Sequence, residues 1–282
     1  MLSDPPPEKE RRQHPLESRP QEPASEEQTQ RQQIMLHIPV VKPFVTYSLI
    51  VLNAIIFVAA FYLLKPIDLN RLYDWGANNG RFVLQYGEFY RLTTAMFLHS
   101  NATHIVFNML SLYYIGSTVE QLFGHFRFGL IYFLGGLCGS ILSVLLNNPN
   151  TYSVGASGAV FAIFGAEIVY LYQHRKLLGA RGQMQLRNLV VIGLMNLVIG
   201  FASTLNRGGG VVIDNWAHIG GFLGGLGLAW YIGPIFIMNR HTERPGAYVA
   251  EDINPLERRY QVLLVFVSLM LVVLIGATLI AR

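Results

Sequence analysis

Seven stretches of mainly apolar residues, set apart by polar loops, follow a polar opening segment. They run Pro43–Leu64, Thr103–Val119, Phe128–Leu146, Ser157–Tyr172, Leu189–Leu205, Trp216–Met238 and Tyr260–Ala281. A helix needs about 20 mainly apolar residues to cross the hydrocarbon core of a bilayer, so each is read as a membrane span. The second and fourth are short and carry His104 and Glu167. Ahead of them, residues 1–33 are rich in Pro, Glu, Gln and Arg and contain no apolar run. Such a segment cannot bury enough surface to fold alone, and it lacks the apolar region of a signal peptide. The pattern predicts an all-α polytopic membrane protein in three parts. These are a disordered cytoplasmic tail over 1–37, a six-span core over 38–238, and a linker with a seventh span over 239–282.

Composition agrees with the pattern. The 282 residues are 52% hydrophobic and only 13% charged, against roughly 25% charged in soluble domains. A net charge of +4 without a basic, aromatic-interleaved face gives no reason to expect a nucleic-acid partner. The single cysteine, Cys138, excludes an intramolecular disulfide and a CxxC metal site. It reads as a small core residue.

Charge sets the orientation, because Lys and Arg gather on the cytoplasmic side. With the N-terminus inside, 15 of the 21 Lys and Arg fall on inner segments and 6 on outer ones. Spans 2, 4 and 6 then begin on the outer side. His104 and Asn108 stand at the outer end of span 2, Ser157 opens span 4, and His218 lies early in span 6. Polar groups at membrane depth are costly and face the bundle interior, which makes these four functional candidates.

Their chemistry is that of acyl transfer. Serine needs a base to take its proton, and His218 lies at the depth of Ser157. Small residues repeat at four-residue spacing on span 4 (Gly158, Ala162, Ala166) and span 6 (Gly220, Gly224; Gly221, Gly225). Such faces let helix backbones approach closely, which would bring Ser157 against His218. His104 and Asn108 share a helix face and can both donate to a developing oxyanion, as can the Ser157 amide at a helix start. Asp214 precedes His218 by four residues, but an N-cap or exposed loop position explains it better than a triad acid. A Ser–His dyad is therefore expected, with the Phe161 ring against the imidazole.

At these residues the chain resembles the rhomboid family of intramembrane serine proteases. Gly155-Ala156-Ser157-Gly158 is similar to its GxSG motif, and Ala217-His218-Ile219-Gly220-Gly221 to its AHxxG motif. His99, His104 and Asn108 resemble its HxxxxHxxxN element. Gly116, Glu120 and Gly124 resemble GxxxExxxG, and Tyr90-Arg91 its aromatic-Arg signature. The resemblance covers Pro43 to about Gly233 and implies a six-helix bundle, the seventh helix making a 6+1 arrangement. It implies Ser157 as nucleophile and His218 as general base, with His104, Asn108 and the Ser157 amide as the oxyanion hole. Gly155 would allow the tight approach, His99 would be structural, and Arg91 would anchor the first outer loop. Transmembrane proteins in the bilayer would be the partners, cut near a helix's outer end after a small residue, with no metal or other cofactor. Many family members carry Tyr where this chain has Phe161, which is expected to tune activity.

Two other readings exist. A catalytically dead relative would have lost Ser157 or His218, and both are present. A transporter would lean on Glu167, but that residue sits about 15 Å along the helix from Ser157, near the inner interface. Snorkelling or pairing with an inner arginine is expected there. The Gly-rich segment 202–215 is read as a mobile cap over the site. The expected location is a bacterial plasma membrane, with the oligomeric state left open.

Overall fold

The computed structural model describes residues 35–37, 39–63, 74–205, 213–240 and 247–282. Of the tail expected over 1–37 only 35–37 are described, and they form a strand; residues 1–34, and the centre of the expected cap, 206–212, lie outside the described residues.

Helix α1, Phe44–Val58, runs on through a π-helical turn to Leu63. Two short helices follow, α2 (Gly80–Leu84) and α3 (Arg91–Thr94). The second expected span forms α4, Ala102–Ser111, a π turn over Leu112–Gly116, and α5, Ser117–Phe123. Gly124, at φ +80°, breaks the chain before α6, His125–Leu146; an L side chain would be strained at that φ. Then come α7 (Ser157–Gln173), α8 (Arg175–Leu205), α9 (Asn215–Ile232) and α10 (Tyr260–Ala281).

Four helices among the described residues, α1, α6, α8 and α10, are long and apolar enough to cross a membrane. The most apolar windows of α1, α8 and α10 are mostly unburied, and residues such as Leu264, Val272 and Ile280 point outward. A helix in lipid satisfies its backbone internally and can present apolar side chains outward. The chain is thus a multi-pass membrane protein. The helices that carry Ser157 and His218 are more enclosed: most of the 17-residue α7 and half of the 18-residue α9 are buried.

Small residues hold α6, α7 and α9 together. A Cβ on Gly221 would lie 2.0 Å from the Gly158 carbonyl oxygen, and one on Gly225 would lie 2.0 Å from the Ala162 carbonyl oxygen. A Cβ on Gly139 would lie 2.5 Å from the Ala217 carbonyl oxygen. Backbone therefore meets backbone where Ser157 and His218 must meet. Below this seam, Phe128, Ile131, Tyr132, Ile163, Leu228 and Ile232 form a close-packed core.

Two expectations need correction. The chain is not all-α: β1 (Met35–His37), β2 (Phe236–Arg240) and β3 (Ala247–Asp252) form a sheet in the order β1-β3-β2. Strand β3 runs parallel to β1 and antiparallel to β2, with Met35 opposite Ala247 and Met238 opposite Ala250. Span 6 also ends earlier than expected, at Ile232, where Gly233 caps it and Pro234 cannot continue a helix. Ile235 to Met238 are apolar but extended, so the division expected at 238/239 falls inside β2.

Candidate active site

Asp214 starts α9 as its N-cap, accepting the Ala217 amide at 3.0 Å. Its carboxylate also accepts from Ser143 Oγ at 2.6 Å and Asn147 Nδ2 at 2.9 Å. These bonds tie Asp214 to α6, and His218 Nδ1 has no partner among the described residues. One turn on, His218 Nε2 lies 2.9 Å from Ser157 Oγ. The Phe161 ring stacks on the imidazole with centroids 4.2 Å apart and planes 15° apart. The imidazole is thus fixed by a ring on one side and a hydroxyl at one nitrogen.

The loop leading into α7 is also fixed. Gly155 has φ +125°, a conformation that side-chain-bearing residues rarely adopt. Its amide donates to the Ala95 carbonyl at 2.9 Å. Upstream, Asn78 and Ser153 exchange two backbone hydrogen bonds of 2.9 Å, coupling this loop to the segment just before α2. A Cβ on Gly155 would lie 2.7 Å from His104 Nε2 and 3.7 Å from Asn108 Nδ2. Both side chains therefore face the turn that presents Ser157. Asn108 Nδ2 donates to the His104 carbonyl at 3.0 Å, leaving its second amide hydrogen for another acceptor.

Other expected residues sit farther out. His99 is buried, with its ring edge-on to His104 at 5.2 Å. Arg91 is buried and donates to Glu88, to the Ala77 carbonyl at 3.1 Å and to the Asp74 carbonyl. Its guanidinium lies 4.4 Å from the Phe82 ring centroid, so Arg91 knits together the segment between α1 and α4. Glu120 is fully buried and accepts from the amides of Val45 and Thr46 at the start of α1. Glu167 does not snorkel and meets no arginine among the described residues: it is buried and accepts from Gln185 Nε2 at 2.9 Å. Among the described residues no group of three or more His, Cys, Asp or Glu could hold a metal ion.

Two residues near the site were missed by sequence reasoning. Asn101 is the N-cap of α4, accepting the His104 amide at 2.9 Å, and its spacing three residues before His104 was a legible signal. Ser100, whose hydroxyl lies 3.0 Å from His104 Nδ1, carried no signal of its own.

A glycine-packed seam and a serine–histidine contact thus meet at one end of the helix bundle. The family model described as Rhomboid domain matches residues 86–235. The chain belongs to the rhomboid family. It is 36% identical over 213 residues to RHOMBOID-like protein 1 of Arabidopsis thaliana, covering 75% of this chain and 52% of that protein. It is 36% identical over 197 residues to Rhomboid protease GluP of Bacillus subtilis, covering 68% of this chain and 35% of that protein. RHOMBOID-like protein 6, mitochondrial, of Arabidopsis thaliana is also 36% identical, over 70% of this chain and 61% of that protein. The chain thus spans about half the plant relatives' length and about a third of the Bacillus protein. Relatives from plants and bacteria, one of them named mitochondrial, give no support for a bacterial plasma membrane over other membranes.

Proposed function

We propose that this chain is an intramembrane serine endopeptidase that hydrolyses peptide bonds at the outer end of substrate transmembrane helices. The observation that carries the proposal is the 2.9 Å contact between Ser157 Oγ and His218 Nε2, with Phe161 stacked on the imidazole. In this reading His218 Nε2 takes the Ser157 proton as Oγ attacks the substrate carbonyl. The tetrahedral oxyanion accepts from His104 Nε2–H, Asn108 Nδ2–H and the Ser157 amide. Collapse breaks the C–N bond, and the amine leaves with the proton from His218. Water, deprotonated by His218, then releases the acyl group from Ser157. Asp214 takes no part in this cycle, because its carboxylate already caps α9 and binds Ser143 and Asn147.

Gly155 supplies the turn that presents the serine, and Gly158 lets α9 approach. His99 and Arg91 act as structural supports. The catalytic unit runs from α1 to the end of α9 at Ile232, followed by a linker and an added span, so that the chain crosses the membrane seven times in a 6+1 order. The N-terminus faces the cytoplasm, in agreement with the Lys and Arg distribution. Substrates are transmembrane proteins entering from the lipid. The relative named as a rhomboid protease supports the reaction class.

The test uses purified full-length chain in proteoliposomes with a tagged single-span protein. Wild type is expected to release a fragment that Ser157→Ala and His218→Ala do not. A fragment that persists in Ser157→Ala contradicts the proposal.

A further inference from the structure

A neutral imidazole carries one N–H and one bare nitrogen, and the hydrogen bond at one nitrogen sets the state of the other. His104 can donate to an oxyanion beside Gly155 only if Nε2 holds the proton. Its surroundings decide this, starting from groups whose polarity is fixed. The backbone amide of His104 donates to Asn101 Oδ1 at 2.9 Å. The oxygen of that side chain therefore faces the helix, and its Nδ2 faces Ser100. Nδ2 donates to Ser100 Oγ at 3.2 Å. With its oxygen accepting there, the Ser100 hydroxyl turns its hydrogen toward His104 Nδ1, 3.0 Å away. The Ser100 backbone N–H, which can only donate, also points at Nδ1 from 3.5 Å. Two donors converge on one nitrogen.

We propose that Ser100 is a positioning residue that holds His104 in the Nε2–H form, so that His104 acts as an oxyanion donor. The inference rests on the proposed acyl transfer at Ser157. Ser100 touches neither the Ser157–His218 pair nor Gly155 in the contacts above; it acts through His104. Asn101 stands one step further back, starting α4 and orienting the Ser100 hydroxyl with the same amide group.

Two measurements test this. The first is a kinetic cycle in proteoliposomes. Ser100→Ala is expected to lower kcat about tenfold with KM unchanged, less than the roughly 10²–10³-fold loss from deleting an oxyanion donor. Ser100→Thr, which keeps the hydroxyl, is expected to retain activity. In a His104→Ala background, Ser100→Ala is expected to change nothing further, because residues acting through one group are not additive. Equal losses in both backgrounds, or no loss with His104 intact, overturn the proposal. The second is the ¹⁵N signature of the His104 ring in the purified full chain, assigned by difference with His104→Gln. A protonated Nε2 in wild type that becomes a tautomer mixture in Ser100→Ala is the expected result, and a protonated Nδ1 in wild type overturns it. The ring signature needs no turnover. A chain with Nε2–H that never cleaves would therefore overturn the peptidase reading alone.

Discussion

Two buried polar clusters in this molecule are built in opposite ways. Around Glu120, Oε1 accepts the Val45 amide at 2.9 Å and has His125 Nδ1 at 2.6 Å, while Oε2 accepts the Thr46 amide and hydroxyl, both at 2.7 Å. Four donors saturate one carboxylate and pin the start of α1 to α5. At the Ser157–His218 pair one hydrogen bond stands alone, and the buried His218 Nδ1 has no partner among the described residues. A saturated cluster stabilises and resists change, whereas groups left with unused capacity can engage an incoming substrate. Both clusters sit on family-like motifs, so their difference in saturation, and not the motif, separates the supporting acid from the proposed reacting pair.

Breaking the pair gives the largest effect. His218→Ala is expected to lower the rate of fragment release by about a million-fold, as loss of one member of a serine–histidine unit does, with the thermal midpoint of the purified protein nearly unchanged. Breaking the saturated cluster does the reverse. Glu120→Ala strips the first amides of α1 of a buried charged acceptor and is expected to cost about 3–5 kcal/mol of stability. Thermal unfolding in detergent measures the cost, while activity per folded molecule persists. Next, Asn108→Ala is expected to lower kcat by about 10²–10³-fold with little change in KM, checked by steady-state cleavage.

Gly221→Ala couples the two kinds of loss. Its methyl would lie 2.0 Å from the Gly158 carbonyl oxygen, so α7 and α9 must part. About 1–3 kcal/mol of stability and the Ser157–His218 contact should be lost together, read by unfolding and by cleavage in one preparation.

The smallest expected effect is a pH dependence at His174, in the turn between α7 and α8. Its Nδ1 lies 2.8 Å from the Tyr170 carbonyl and its Nε2 accepts the Phe236 amide at 2.9 Å, an arrangement open only to the neutral ring. Burial holds this imidazole below its ordinary value of 6.5, opposed by the weaker attraction of Asp252. The unfolded chain therefore binds the proton first as pH falls. The His174 contribution is full above about pH 6.5 and is lost progressively as the pH drops below it, at no more than about 1.4 kcal/mol for each pH unit. His174→Gln should flatten that part of the stability–pH curve. An unchanged curve would mean that His174 binds its proton equally in the folded and unfolded chains, which contradicts this account.

Much of this was legible in the chain. Spans 1, 3 and 7 followed from uninterrupted apolar runs, and Ser157, His218, His104 and Asn108 from motif spacing at one depth. Asp214 was legible as a cap because an acid just before an apolar run suits a helix start. What escaped depends on distant partners or on short-range breaks hidden in apolar sequence. Ile235-Phe236-Ile237-Met238 is as greasy as a helix end, and only Gly233-Pro234 marks the change to strand. Strand β1 pairs with residues more than 200 positions away, which no local pattern reveals. Gln185 could not be matched to Glu167 until α8 was packed against α7.

Whether Ser157 and His218 work as one catalytic unit is best decided with a fluorophosphonate, a reagent that phosphonylates activated serines, followed by intact-mass and peptide analysis. One adduct is expected, on the peptide containing Ser157, and it should be lost in His218→Ala and in Ser157→Ala. An adduct elsewhere, or one on Ser157 that forms equally fast without His218, would contradict the pairing of these two residues.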